Sequence, residues 1–171
     1  MQSPTDNKTL TGVLSSRLDK LGIVLPAPPT PLGAYVESSD TGDLLILSGM
    51  LPVVNRKLAI SGRLGENLSV KEGQDAARVA ALNALAVARE HLGDLDRIKK
   101  LVKLTVLIAT TEQFVDHAPV ADGASKLFVQ IFGPEASNVR LVYGVQSLPV
   151  SAPLIVDVIF EIGPARESTA Q

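Results

Sequence analysis

The sequence predicts an α+β fold in which one sheet carries two main helices on one of its faces. Three observations lead there. A long Ala-rich amphipathic segment spans about 70–92, and a second helical segment follows at about 119–132. Apolar strand runs stand at 43–50, 98–109 and 154–162. The elements come in the order helix, three strands, long helix, strand, helix, two strands, and the economical way to bury such a set is one sheet with helices packed on one side.

The elements follow from local chemistry. Leu10, Val13, Leu14, Leu18 and Leu21 recur at helical spacing, with Gly22 as a stop. Pro26-Ala27-Pro28-Pro29-Thr30-Pro31 cannot be helical and reads as an extended connector. Strands are expected at about 34–38, 43–50 and 56–61, and the continuously apolar Leu44-Leu45-Ile46-Leu47 suits a strand covered on both faces. Ser69-Val70-Lys71-Glu72 has capping-box spacing, so the long helix should begin there; His91 and Gly93 mark its end. Its apolar stripe, Ala76, Val79, Ala80, Asn83, Val87 and Leu92, is dominated by alanine and lets the helix lie close to a sheet. Residues 110–114 read as a short helical turn, and Pro119 suits a first helical position. The last two strands are expected at 138–147 and 154–162. Residues 1–9 and 164–171 are polar and expected to be mobile, leaving one domain over 1–171 with its core at about 20–162.

A chain of 171 residues buries roughly 70% of its unfolded surface, so it needs no disulfide or metal staple. With 4% aromatic residues and no Trp, the core is built from Val, Leu, Ile and Ala. The net charge of −2 and the lack of a basic, aromatic-interleaved patch argue against nucleic-acid binding. Arg97, Lys99, Lys100 and Lys103 are read instead as the solvated start of a strand. There is no Cys, which excludes thiol chemistry and fits a reducing compartment. The polar start lacks the pattern of a signal peptide, and no run is long enough to span a bilayer, so a cytoplasmic location is expected.

Reactive groups are few. His91 and His117 stand alone, without a second ligand at metal spacing; His91 reads as a helix-end residue and His117 as a loop residue, so no metal is expected. The phosphate-binding glycine loops and the Gly-x-Ser-x-Gly elbow are absent. Arg140 is the residue of interest, because it interrupts the apolar run Val139-Arg140-Leu141-Val142-Tyr143. A guanidinium there must face solvent, pair with an acid such as Asp157 or Glu161, or line a pocket, where its planar fork would hold a carboxylate. Tyr35, after the Pro-rich connector, is either an edge-packing residue or a pocket residue. Ser48-Gly49, at the end of an apolar strand, is either a simple bulge or a point of close backbone approach. The sheet face away from the helices has nothing left in the chain to cover it, so self-association is expected.

Pro31-Leu32-Gly33-Ala34-Tyr35, Leu45-Ile46-Leu47-Ser48-Gly49-Met50-Leu51-Pro52, Arg140 with Gly144-Val145 and Leu148-Pro149, and Val156-Asp157-Val158-Ile159-Phe160-Glu161 together resemble the RidA/YjgF (liver perchloric-acid-soluble protein) pattern over roughly 20–162. Asp122-Gly123-Ala124-Ser125 and Phe132-Gly133 resemble one subgroup of it. The resemblance implies a chorismate-mutase-like fold and a homotrimer with small-molecule clefts between subunits. It implies that Arg140 grips a substrate carboxylate and that Tyr35, Ser48 and Gly49 line the cleft. It implies hydrolysis of reactive enamine or imine intermediates to 2-keto acids and ammonia without a cofactor. The other readings are a non-catalytic carboxylate-binding or regulatory trimer and, with less support from the acidic balance, an endoribonuclease. Two departures stand out. A family Glu near the start of the last strand, which helps position water, is matched here by Ile155, with Asp157 two residues on and on the same face. Asp122 and Ser125 stand where better-known members carry Asn and Tyr, so the pocket is expected to be altered.

Overall fold

The computed structural model describes residues 13–133 and 138–164 of the chain. Helix α1 (Val13–Lys20) precedes the short strands β1 (Ser38–Asp40) and β2 (Leu44–Leu47). A two-stranded ribbon, β3 (Val53–Val54) with β4 (Lys57–Leu58), leads to the long helix α2 (Val70–Leu92). Strand β5 (Ile98–Ala109), helix α3 (His117–Phe132), β6 (Val139–Val145) and β7 (Leu154–Ile162) complete the order. The main sheet runs β1-β2-β7-β5-β6; all its pairings are antiparallel except β5 with β6, which α3 connects as a parallel crossover. This is the α+β arrangement that the sequence predicts, one sheet with its main helices on one face.

Helix α2 begins where its capping box places it. The Ser69 hydroxyl accepts from the Glu72 amide at 3.3 Å, and the Glu72 carboxylate accepts from the Ser69 amide at 2.8 Å. It ends at Gly93, whose φ of 71° lets the chain turn out of the helix. The alanines of its stripe are buried, and among them sits Asn83, whose amide is also buried. Its Nδ2 donates to the carbonyls of Leu51 at 2.9 Å and Val53 at 3.0 Å, so the one polar residue in the stripe is satisfied and pins the segment after β2 to the helix.

The core lies between the sheet and α2 and α3. Strand β7 alternates strictly: Leu154, Val156, Val158, Phe160 and Ile162 are buried, and Ile155, Asp157, Ile159 and Glu161 point to the other face. The Phe160 ring meets Phe128 of α3 edge-on, with centroids 6.1 Å apart. Strand β5 carries two register shifts against β7, between Ile98 and Lys100 and between Leu101 and Lys103, which accounts for the loose alternation of its sequence. Lys99 and Lys100 are exposed and reach Glu161 at 3.8 and 3.0 Å, as a solvated strand start should.

Several expectations need correcting. The strand expected at 34–38 begins only at Ser38, because the Tyr35 amide turns back to the Gly33 carbonyl at 3.0 Å. That expected at 56–61 shrinks to Lys57–Leu58 and leaves the main sheet, since Asn55 and Arg56 both adopt positive φ (50° and 64°) and close a tight hairpin. Residues 110–114 form no helix; Thr110 instead bridges to Leu64. Helix α3 starts two residues earlier than Pro119, which makes His117 its first residue rather than a loop residue. Leu45 and Leu47 are buried but Ile46 is 40% exposed, so β2 is covered on one face only within a single chain. The segments 1–9 and 165–171, and residues 10–12 of the first helical pattern, lie outside the described residues.

Helices α2 and α3 touch most closely at Gly123. A Cβ there would run into the backbone carbonyl of Gln74, which cannot swing aside. Gly123→Ala is therefore expected to lower stability by about 1–3 kcal/mol or more through overpacking, even though alanine is the better helix former. Denaturant melts of the two proteins check this, and an unchanged midpoint would show that the helices separate freely.

Candidate functional site

The sequence-predicted site residues fall into two groups. The first is at the outer edge of the sheet. On β6, Arg140 and Val142 are half-buried and share the face toward α3 with Gly144, while Val139, Leu141 and Tyr143 are exposed on the opposite face. The Arg140 Nη1 donates to Asp122 Oδ1 at 2.7 Å and to Ser125 Oγ at 3.1 Å. Asp122 and Ser125 are three residues apart on α3 and so lie on one helix face. The ion partner is thus Asp122, not Asp157 or Glu161. The side chains of Arg140 and Asp122 are 30% and 39% exposed, so the pair is open to a ligand. One guanidinium nitrogen is engaged, and the rest of the fork keeps its capacity for a carboxylate.

The second group surrounds a small cleft of about 70 Å³ behind β2, lined by Tyr35, Glu37, Ser48, Gly49, Leu51 and Arg56 among others. Ser48 is fixed by its backbone amide, which donates to the Glu37 carbonyl at 2.9 Å. The Tyr35 hydroxyl accepts from the Leu32 amide at 3.1 Å, which holds the ring at the end of the Pro-rich connector. Gly49 meets Ile155 of β7: a Cβ at Gly49 would stand 2.5 Å from Ile155 Cγ2. Ile155 therefore packs against Gly49 without itself lining the cleft. Asp157 shares its face but sits opposite Thr105, and it does not line this cleft. Burial raises the Asp157 carboxyl above its ordinary range, opposed by Lys103 and by the Thr105 hydroxyl.

Sequence reasoning missed two charged residues here, Glu37 and Arg56. Burial, and secondarily the nearby Glu90, raises the Glu37 carboxyl above the usual carboxylate range. The signal for Glu37 was its place two residues after Tyr35. Arg56 gave no signal, since it reaches the cleft only because the hairpin turns there.

The two groups do not meet within one chain. Strands β7 and β5 lie between β2 and β6, which sets β2 and β6 roughly 14 Å apart at the usual spacing of strands. They also sit on opposite sides: Arg140 faces α3, and Ile155 faces away from the helices.

His91 plays neither part. Its Nε2 is 2.8 Å from Asp40 and its Nδ1 is 2.9 Å from the Ser38 hydroxyl. This row ties the edge strand β1 to the last turn of α2, and its exposed carboxylate is held below the ordinary Asp range chiefly by the hydrogen bond with His91. His117 stacks edge-on to Phe114 at 5.3 Å and fills the space that Gly144 leaves.

A mixed sheet with its main helices on one face places the chain in the α+β class. Residues 15–162 match the YjgF/chorismate mutase-like family, and the chain belongs to it. It is 39% identical to Protein TCP17 of Trypanosoma cruzi over 89% of this chain and 96% of that one. A candidate endoribonuclease from Shewanella oneidensis is similar in structure, with a TM-score of 0.84 and 32% identity over 88% of this chain and all of that one. E. coli TdcF, solved with bound serine, shares the fold at a TM-score of 0.56 and 24% identity, covering 81% of this chain and 94% of that one. Among the described residues, no helix is long and apolar enough to cross a membrane.

The contact of Gly49 with Ile155 makes a specific expectation. Gly49→Ala alone should destabilise the chain by about 1–3 kcal/mol, because the new methyl group meets Cγ2. Ile155→Ala removes that atom, so the double variant should recover part of the loss, with a coupling of roughly 0.5–3 kcal/mol in thermal or denaturant melts. Strictly additive effects would mean that the two residues do not touch.

Proposed function

We propose that the chain is a single-domain, cytoplasmic homotrimer of the subgroup marked by Asp122-Gly123-Ala124-Ser125, and that it hydrolyses reactive enamine or imine intermediates to 2-keto acids and ammonia. The observation that carries this reading is the Arg140 fork, held on the sheet edge by Asp122 and Ser125 and still partly open. A pre-positioned guanidinium suits a small carboxylate ligand. The serine held by TdcF belongs to that chemical class.

The trimer supplies what one chain lacks. The cleft behind β2 is too small alone for a substrate, and Arg140 lies at the far edge. The face away from the helices exposes Ile46 at 40%, Leu141 at 39%, Tyr143 at 49% and Val139 at 64%. Copies packed through that face cover it and bring the Arg140 edge of one to the Ser48-Gly49 edge of the next. Arg140 then holds the substrate carboxylate while water adds to the C=N carbon. The C–N bond breaks as nitrogen gains its protons, and ammonia leaves. With Ile155 unable to hold water or move a proton, the acid–base group on this side is Glu37, whose raised carboxyl lies at the cleft.

Two observations favour a second reading, a carboxylate-binding regulatory trimer without turnover: the residue against Gly49 is the apolar Ile155, and Asp122 partly neutralises Arg140. A ribonuclease has less support, since the chain is acidic overall.

The test generates 2-iminopropionate in situ with an amino-acid oxidase and follows its loss. Wild type should accelerate it, and Arg140→Ala should cost roughly 10- to 100-fold in kcat/KM through the lost charged hydrogen bonds. Glu37→Gln should cost about 100-fold. If Glu37 acts as the base, the rate falls as the pH drops through its raised pKa, and that acidic limb disappears in Glu37→Gln. No acceleration, with Arg140-dependent binding of pyruvate, would establish the regulatory trimer instead. Asp122→Asn removes the competing charge and should tighten binding of a simple carboxylate several-fold.

A further inference from the structure

A larger cleft, of about 400 Å³, opens at the end of the sheet where β5 and β6 finish and the chain turns into β7. Its lining includes Arg63, Glu66, Asn67, Gln146, Ser147 and Ser151; Arg140 and the residues behind β2 take no part in it. Its volume falls in the range of small-molecule sites.

The segment that carries its charged groups is rigidly built. The Leu64 amide donates to the Ala109 carbonyl at 2.9 Å, and the Thr111 amide donates to the Leu64 carbonyl at 3.1 Å, so this loop docks on the end of β5. The Asn67 Oδ1 accepts from the Arg63 amide at 2.8 Å. Gly62 has a φ of 136°, and a Cβ there would stand 2.5 Å from the Asn67 amide, so glycine keeps Asn67 in place. The Gly62 amide donates to the Ser151 carbonyl at 3.1 Å and joins the two walls. The opposite wall is strained: Val150 and Ser151 both hold positive φ, at 52° and 60°, which for a β-branched residue persists only where the surroundings impose it.

Within this frame Arg63 is incompletely satisfied. Its Nη2 donates to the Thr110 carbonyl at 2.6 Å, which fixes the guanidinium plane. Its Nε is buried and has no hydrogen-bond partner among the described residues. The Glu66 carboxylate stands 3.9 Å from that Nε, close enough to balance its charge and too far to accept its proton. The Arg63 side chain as a whole is 39% exposed and lines the cleft, so the rest of its guanidinium is open to an acceptor from outside the chain. A planar carboxylate provides it and matches the fork. Glu66, beside it, disfavours a second negative charge and favours an ammonium group.

We propose that this cleft is a second ligand site, separate from that of Arg140, for a small zwitterion of the α-amino-acid type. Arg63 takes the carboxylate, Glu66 takes the amino group, and Gln146 and Ser147 face the remainder of the ligand.

The test uses the full chain carrying Arg140→Ala, so that only this cleft is read, and measures binding of L-alanine and of propionate by calorimetry or equilibrium dialysis. Alanine should bind at millimolar concentration or below, and more tightly than propionate. Arg63→Gln should weaken alanine at least tenfold. Because Arg63 also holds the Thr110 carbonyl, that variant is paired with Glu66→Gln, an exposed change that leaves the loop intact. Glu66→Gln should weaken alanine at least tenfold and leave propionate unchanged or tighter. Equal binding of alanine and propionate, indifference of alanine to both variants, or no alanine binding at millimolar concentration would each overturn the proposal. None of these outcomes bears on the imine assay, which reads Arg140.

Discussion

The close approach of α3 to α2 is the constraint on which the rest depends. It requires Gly123, because the Gln74 carbonyl occupies the space a side chain would need. With α3 seated there, Asp122 and Ser125 are delivered to the edge of β6, and Arg140 is held at 2.7 and 3.1 Å. The same seating drives Leu127, Phe128 and Ile131 into the core over β5 and β7. A helix standing farther off would leave Arg140 without its partners and Phe160 without its edge-on ring. The motif Asp122-Gly123-Ala124-Ser125 is therefore one device: the small residues allow the approach, and the polar ones use it.

A comparable economy holds on the other side of the molecule. Asn83 is the one polar residue in the stripe of α2, and its amide satisfies two carbonyls of the segment after β2. That fixes the path from Gly49 to Val53, and with it the wall of the small cleft. Ile155 of β7 packs against Gly49 with a branched apolar side chain. The carboxyl group that lines the cleft is that of Glu37, on the facing segment. Glu37 and Ile155 thus come to Gly49 from different parts of the fold.

Much of this was legible beforehand, and particular residues show why. The Ser69–Glu72 box, Gly93 and the alternation of Leu154–Ile162 are signals whose cause lies within a few residues, so they survive any tertiary context. The motif run through Tyr35, Ser48-Gly49 and Arg140 named residues that the fold places in two separate groups. The partner of Arg140 was not legible, because Asp122 lies 18 positions away and no periodicity links a helix face to a strand edge. Arg56 reached the cleft through a hairpin whose two positive-φ residues are not glycines, and the 56–61 segment left the sheet for the same reason. Arg63 was invisible until β5, β6 and the turn into β7 were set side by side.

By itself the sequence determined the main helices and strands, among them α2, β5 and β7, the composition of the core and the resemblance to the family. The elements and the core follow from short-range sterics, from hydrogen bonding within a turn or two, and from the period with which apolar residues recur; the resemblance to the family rests on its motifs. Only the tertiary structure decided which charges meet. Ion pairs and cleft walls join residues far apart in the chain, and their geometry depends on strand order and on how closely two helices can approach. That is why Arg140 is paired with Asp122, why the Tyr35 and Ser48-Gly49 cleft stands three strands away, and why Arg63 keeps a buried nitrogen without a partner among the described residues.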